Sequence, residues 1–192
     1  MPKIVPGTYV INNFGRFVSD MKAFDISGGE LSVSRIDTNI WEISNADKLK
    51  KISYWVEDIY NSANSPIVFE PTGTCIEPGK VFMLNNYTLI GYFEGFKDMP
   101  YTVSITKPEG FYGATSMPLN STINNTDLYY PKNYFDLHDN PMMYALPDTA
   151  SVMVSNTKVL LSVYSPNKKI TASYLAEQSL ELFKAQGDYL GG

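Results

Sequence analysis

Few side chains in this sequence are equipped for catalysis. One histidine, His138, sits in Asp136-Leu137-His138-Asp139, and one cysteine, Cys75, sits in Gly73-Thr74-Cys75-Ile76-Glu77-Pro78-Gly79-Lys80. A metal at His138 would have to take its remaining ligands from carboxylates, and a site needing two histidines is excluded. A Ser-His-Asp arrangement lacks the Gly-x-Ser-x-Gly turn that would present its nucleophile. His138 is therefore read as structural, a hydrogen-bonded or exposed residue of a proline-flanked loop. The glycines around Cys75 echo a phosphate-binding loop only loosely. Five residues separate Gly73 from Gly79 where four are required, Val81 replaces the metal-binding hydroxyl, and Glu77 would repel phosphate. The segment reads as a loop between strands. Cys75 has no adjacent cation or second cysteine to make a thiolate. Glu57 and Asp58 are neighbours in a strand pattern, so their side chains should point to opposite faces and cannot flank one bond. Asn86-Tyr87-Thr88, Asn120-Ser121-Thr122 and Asn124-Asn125-Thr126 match the glycosylation sequon, which has meaning only in a eukaryotic secretory pathway. The chain is expected to contain no catalytic residues, no metal ligands and no cofactor.

Binding is the other chemistry available. Tyr87, Tyr92, Phe93, Phe96, Tyr101, Phe111 and Tyr112 crowd one stretch of a chain that is 14% aromatic. They either fill a core or form a surface that grips peptide or glycan, with core the favoured reading. Fifteen basic against twenty acidic residues give a net charge of −5, which offers nothing to a phosphate backbone, so nucleic acid is excluded as a partner. The sequence holds neither a secretory h-region at Met1-Pro2-Lys3-Ile4-Val5-Pro6 nor an apolar run approaching the roughly 20 residues of a membrane helix.

The elements that must carry these residues are mostly short strands. Leu31 and Val33 alternate with serines, Ile52, Tyr54 and Val56 with Lys51, Ser53 and Trp55, and Tyr101, Val103 and Ile105 with Thr and Ser. Such period-two runs, cut by Ser27-Gly28-Gly29, Pro78-Gly79, Asp98-Met99-Pro100 and Pro108-Glu109-Gly110, predict a β-sandwich-like domain or open barrel over 1–126. Lys48-Leu49-Lys50-Lys51 reads as a solvated strand entrance. The prolines and asparagines of 120–147 read as irregular connecting chain. Strands near 151–154 and 158–164 follow, then a helix over 171–186 with Leu175, Ala176, Leu182 and Phe183 on its apolar face around Ser179, capped by Gly187. Two strands and one helix make an incomplete α/β segment, so 127–192 is expected to be a linker and the opening of a second domain. The fold class is mainly β.

Taken in order, several motifs resemble those of the glycyl-aminopeptidase-like zinc metallopeptidases, metallopeptidase family 61. Pro6-Gly7-Thr8-Tyr9 with Phe14-Gly15-Arg16-Phe17-Val18 is similar to that family's Pro-Gly-Ser-Tyr … Phe-x-Arg stretch. Arg35 to Ile43, with Trp41, resembles its segment ending in a strand tryptophan, and Lys51 to Val56 its next strand. Thr106-Lys107-Pro108-Glu109-Gly110-Phe111 and Ala114-Thr115-Ser116-Met117 resemble the close of its first domain. Asn133 to Pro141 resembles its Tyr-Asp-x-Leu-x-Asp-x-Pro link, and Leu182-Phe183 through Tyr189-Leu190-Gly191-Gly192 the helix and glycine turn before its active-site half. Ile4-Val5 and Asn12-Asn13 depart from the family's Trp and Arg-Asp, and the strands upstream of Pro-Gly are absent, so both ends look cut.

The resemblance implies a β-sandwich followed by a thermolysin-like domain, whose zinc is held by His-Glu-x-x-His and a downstream Glu. That motif does not occur in these 192 residues. The chain is thus expected to be a non-catalytic N-terminal portion of a zinc aminopeptidase, supporting a catalytic domain and walling its substrate cleft. Its expected partners are that missing catalytic domain and, through exposed strand edges, a second copy of itself. A periplasmic or cell-surface location is implied by the resemblance alone. The alternative is a stand-alone module binding peptide or glycan through its aromatics, with Trp41 and Trp55 as reporters.

Overall fold

A computed structural model describes residues 1–5, 10–62 and 72–191. The Pro6-Gly7-Thr8-Tyr9 motif and Gly192 lie outside the described residues. The architecture is mainly β, a sandwich-like domain followed by a hairpin and a helix, and every strand pairing among the described residues is antiparallel. β1 (Val18–Asp25) is the centre of a three-stranded sheet between β2 (Glu30–Leu31) and β5 (Leu49–Val56), and β3 (Val33–Asp37) pairs with β4 (Ile40–Ile43). A second three-stranded sheet runs β10 (Ser121–Ile123), β11 (Thr126–Tyr129), β8 (Val103–Thr106). A four-stranded sheet runs β6 (Cys75–Glu77), β7 (Val81–Leu84), β12 (Met142–Ala145), β9 (Tyr112–Ala114). Last comes the hairpin of β13 (Thr149–Val154) and β14 (Thr157–Ser162). Three α-helices are described: α1 (Asn86–Leu89), α2 (Tyr134–His138) and α3 (Ala172–Leu190). No helix of the described residues is long and apolar enough to cross a membrane.

The period-two runs fold as their alternation requires. In β5, Ile52, Tyr54 and Val56 turn inward while Trp55 is 72% exposed, and in β8 Val103 is buried between exposed Thr102 and Ser104. At the Ser27-Gly28-Gly29 turn, Asp25 Oδ1 accepts from Ser27 N at 2.8 Å, Ser27 Oγ at 2.7 Å and Gly29 N at 2.9 Å. Bonds to the charged form, that from the Ser27 hydroxyl foremost, hold this carboxyl below its usual range.

The stretch 120–147 is not irregular. It contains β10, β11, α2 and β12, and β12 lies inside a sheet rather than at its edge. Asn124 and Asn125 both take left-handed φ, 49° and 59°, and join Ile123 to its partner Thr126 in a two-residue hairpin. The prolines bound elements instead of interrupting them: Pro131 precedes α2, Pro141 precedes β12 and Pro147 follows it. Composition alone could not separate breakers at element ends from breakers in a long loop.

α3 is also longer than its sequence suggests. It passes through Gly187 and ends at Gly191, whose φ of 78° suits the left-handed cap position. Gly187 serves packing, since a Cβ there would lie 2.9 Å from Val154 Cγ1 on the hairpin. The seam against the hairpin runs through buried Ala172 and Ala176 and half-buried Ser179, Phe183 and Gly187. Leu182, expected on that face, is exposed.

Two apolar cores hold the β domain. The larger gathers Val103, Phe111, Met117, Tyr129, Tyr134, Leu137, Met142 and Tyr144. The smaller gathers Val5, Phe14, Phe17, Ile59 and Tyr87. Beside the larger, a buried ion pair ties neighbouring strands of one sheet: Lys107 Nζ, just past β8, donates to both carboxylate oxygens of Asp127 on β11 at 2.7 Å, and Thr122 Oγ1 on β10 donates to Oδ1 at 2.6 Å. The hydroxyls of Tyr129 and Tyr144 meet at 3.1 Å, and the Tyr144 ring lies over Gly113, where a Cβ would come within 2.5 Å of it. Only a glycine on β9 admits that ring.

Candidate functional site

Where the two cores adjoin, a cavity of roughly 690 Å³ opens between the N-terminal segment, α1, α2 and the loop after α1. Its lining includes Tyr87 of the smaller core and Tyr134 of the larger, with Tyr92, Phe135, His138 and Lys97.

Each wall is fixed by hydrogen bonds that end on backbone groups. The N-terminal segment is pinned as Met1 N donates to Asn39 O at 2.8 Å and Lys3 O accepts from Asn12 N and Asn13 N at 3.1 and 3.0 Å. Burial lowers the pKa of that terminal amine. Buried Asn86 of α1 donates through Nδ2 to Leu137 O at 3.0 Å and Asn140 O at 2.7 Å, locking α1 to the end of α2. At the other end of α2, Asn133 Oδ1 accepts from Asp136 N at 2.8 Å, while Asp136 Oδ2 accepts from Lys132 N at 2.9 Å. These two bonds start a helix of only five residues. The loop between is held as Tyr134 N donates to Lys97 O at 2.8 Å and Tyr134 Oη to Ile90 O at 2.8 Å.

The rings pack in a chain. Tyr92 lies 4.9 Å from Tyr134, Tyr134 5.6 Å from His138, Phe135 4.9 Å from His138 and Tyr87 6.4 Å from His138. Lys97 places its ammonium 4.1 Å from the Tyr92 centroid, a cation–π contact. Burial pushes the Tyr87 phenol up to about 12 and that of Tyr134 further. Both hydroxyls are committed as donors to backbone, Tyr87 Oη to Thr72 O at 3.1 Å. The arrangement can hold an apolar group; no side chain in it is set up as a nucleophile with its base.

The residues singled out from sequence are scattered. His138 ends α2 instead of standing in a loop, and its Nδ1 is buried with no hydrogen-bond partner among the described residues. Cys75 lies half-buried on β6, its thiol pKa raised by burial and then by Asp58 and Glu77. Glu57 and Asp58 stand beyond the end of β5, so the strand geometry expected for them does not apply. Asp58 there accepts from Tyr60 N at 3.0 Å and Asn61 Nδ2 at 2.6 Å, forming a turn. Gly79, with φ 73°, turns the β6–β7 hairpin. Of the aromatic stretch, Tyr87 and Phe111 are core, Tyr92 and Tyr101 pack against it, and Phe93, Phe96 and Tyr112 are exposed. Sequence reasoning missed Lys97, Tyr134 and Phe135. The spacing Asn133-x-x-Asp136 could have marked the helix start, but nothing local announces that 2–5, 92–98 and 134–138 converge. Among the described residues no group of three or more His, Cys, Asp or Glu is placed to hold a metal ion.

Comparison with known proteins bears on what this scaffold is. The family described as Peptidase M61 N-terminal domain matches residues 1–146. The crystal structure of an aminopeptidase N family protein from Idiomarina loihiensis superposes with a TM-score of 0.83 at 20% identity, covering 97% of this chain and 31% of that one. The chain thus spans about a third of that protein's length and shares its fold. No curated protein matches the sequence.

Proposed function

Because the chain belongs to the Peptidase M61 N-terminal domain family, we propose that it is the non-catalytic N-terminal portion of a zinc-dependent aminopeptidase, supporting the catalytic domain and walling its substrate cleft. The observation that carries this reading is the family match over 1–146 in a sequence whose single histidine cannot form His-Glu-x-x-His. The residues present do not fit a zinc site, so no step of peptide hydrolysis is assigned to them. In this reading the domain boundary expected at 126 is drawn instead after β12, because β11 pairs with β8 and β12 with β7 and β9, and 149–190 opens the catalytic domain. The hairpin and α3 bury only Val154, Ala172 and Ala176 among their hydrophobic residues, leaving Leu182, Tyr189 and Leu190 as surface for that domain to cover. A periplasmic or cell-surface location belongs to the same proposal.

The test is to sequence the parent gene on both sides of this segment and assay the purified chain. A His-Glu-x-x-His run downstream, with neither bound zinc nor peptidase activity in the 192-residue chain, is expected. Stoichiometric zinc together with peptidase activity from the chain itself would overturn the reading. For the cleft-wall role, a parent enzyme lacking 1–146 should lose kcat/KM; an unchanged value removes that role.

A further inference from the structure

The cavity between the two cores is basic as well as aromatic, on a chain whose net charge is −5. Lys3 and Lys97 line it against one carboxylate, Asp98, and neither lysine is in a salt bridge among the described residues. Lys97 is held over the Tyr92 ring and so presents its charge beside an apolar wall. Aromatic cavities often take cations, but here Lys97 already occupies that position on Tyr92. A sugar would need several free polar groups, and the hydroxyls of Tyr87 and Tyr134 are both spent on backbone carbonyls. The volume lies within the usual range for a small-molecule site, about 300–1,000 Å³.

We propose that this cavity binds a small apolar carboxylate, the class to which the C-terminal residue of a peptide with an aromatic or large aliphatic side chain belongs. The rings of Tyr87, Tyr92, Tyr134 and Phe135 receive the apolar group, and the ammonium of Lys97, with that of Lys3, receives the carboxylate. Such binding goes beyond an accessory role and does not depend on it.

His138 is the sole histidine of the sequence and lines the cavity, so its ring Hε1 gives a single assignable NMR resonance that reports on occupancy. The full 192-residue chain is titrated at constant pH with N-acetylphenylalanine and, separately, with N-acetylphenylalaninamide. The acid should shift the His138 resonance saturably, and the uncharged amide should bind at least about tenfold more weakly, the loss of one charge-assisted contact. Lys97→Met, which keeps the stem on Tyr92, should weaken the acid several-fold and leave the amide unchanged, narrowing the gap between them. Lys184→Met, on α3, should leave the acid's affinity unchanged. Lys3→Met provides a second variant should Lys97→Met fail to fold, and should weaken the acid in the same direction. Equal affinities for acid and amide, or no saturable shift at millimolar ligand, overturn the proposal.

Discussion

Removing the carboxylate of Asp127 should expose how much the β domain depends on one buried charge. Asp127 is 1% exposed and its partner Lys107 12%, and both oxygens lie 2.7 Å from the ammonium. At an effective dielectric near 20 the attraction at this distance is about 6 kcal/mol before desolvation is subtracted. Desolvation offsets most of that, so the pair as a whole contributes little beyond a well-packed apolar substitute. Breaking it is a different matter. Asp127→Ala leaves the largely buried Lys107 ammonium without its partner, while Thr122, on the exposed side, turns its hydroxyl to solvent. The expected loss is about 3–5 kcal/mol. For a chain of this size that lowers Tm by on the order of 10 °C. The double variant Lys107→Met/Asp127→Ala removes the stranded charge and should recover more than half of the loss. Urea denaturation followed by far-UV circular dichroism measures both, provided the slopes with denaturant agree. A single variant costing under about 1 kcal/mol, or a double variant no better than the single, would refute the argument that the stranded charge sets the cost.

Two further substitutions or titrations probe other parts of the fold. Gly15→Ala places a Cβ 2.3 Å from Thr38 O and 2.7 Å from Asn39 Cα, backbone atoms that cannot rotate aside, and the expected cost in urea denaturation is about 3 kcal/mol or more, with a neutral result refuting the close approach. Tyr87, pushed up to about 12 from 10, stays protonated in the folded chain when an unfolded tyrosine would ionise. Its contribution is complete below pH 10 and is lost as pH rises through 12, so Tyr87→Phe should flatten the decline in stability over that window, and an unchanged slope would contradict the burial.

Much of the strand framework is visible in the sequence because burial of one face imposes alternation. Val103 and Ile105 turn inward from β8, and Ile52, Tyr54 and Val56 from β5, as their spacing requires. Element ends were harder to read. Gly187 and Gly191 are the same residue type near one helix end, and only packing against Val154 distinguishes the one inside the helix from the one that stops it. Likewise Pro131 and Pro141 look like loop residues until the strand and helix they delimit are placed. The candidate site was the least legible part. Tyr87 and Tyr92 belong to a conspicuous aromatic run, but Tyr134, Phe135 and His138 lie more than forty residues later and Lys3 at the start of the chain. Their convergence depends on Asn86 reaching Leu137 O and Asn140 O, a contact without local periodicity.

The position of β12 has a consequence for how the protein is made. β12 separates β7 from β9, so the four-stranded sheet lacks its middle until residue 145 is available. On the ribosome, β7 and β9 emerge with strand edges that have no permanent neighbour, and they wait through the synthesis of more than thirty residues after Ala114. Pairing across such separations is slow to nucleate because the loop must close before contacts reward it. The nascent chain is therefore most prone to the wrong strand partner in the interval before Met142 to Ala145 inserts, and a ribosome pause just before that strand would prolong the risk.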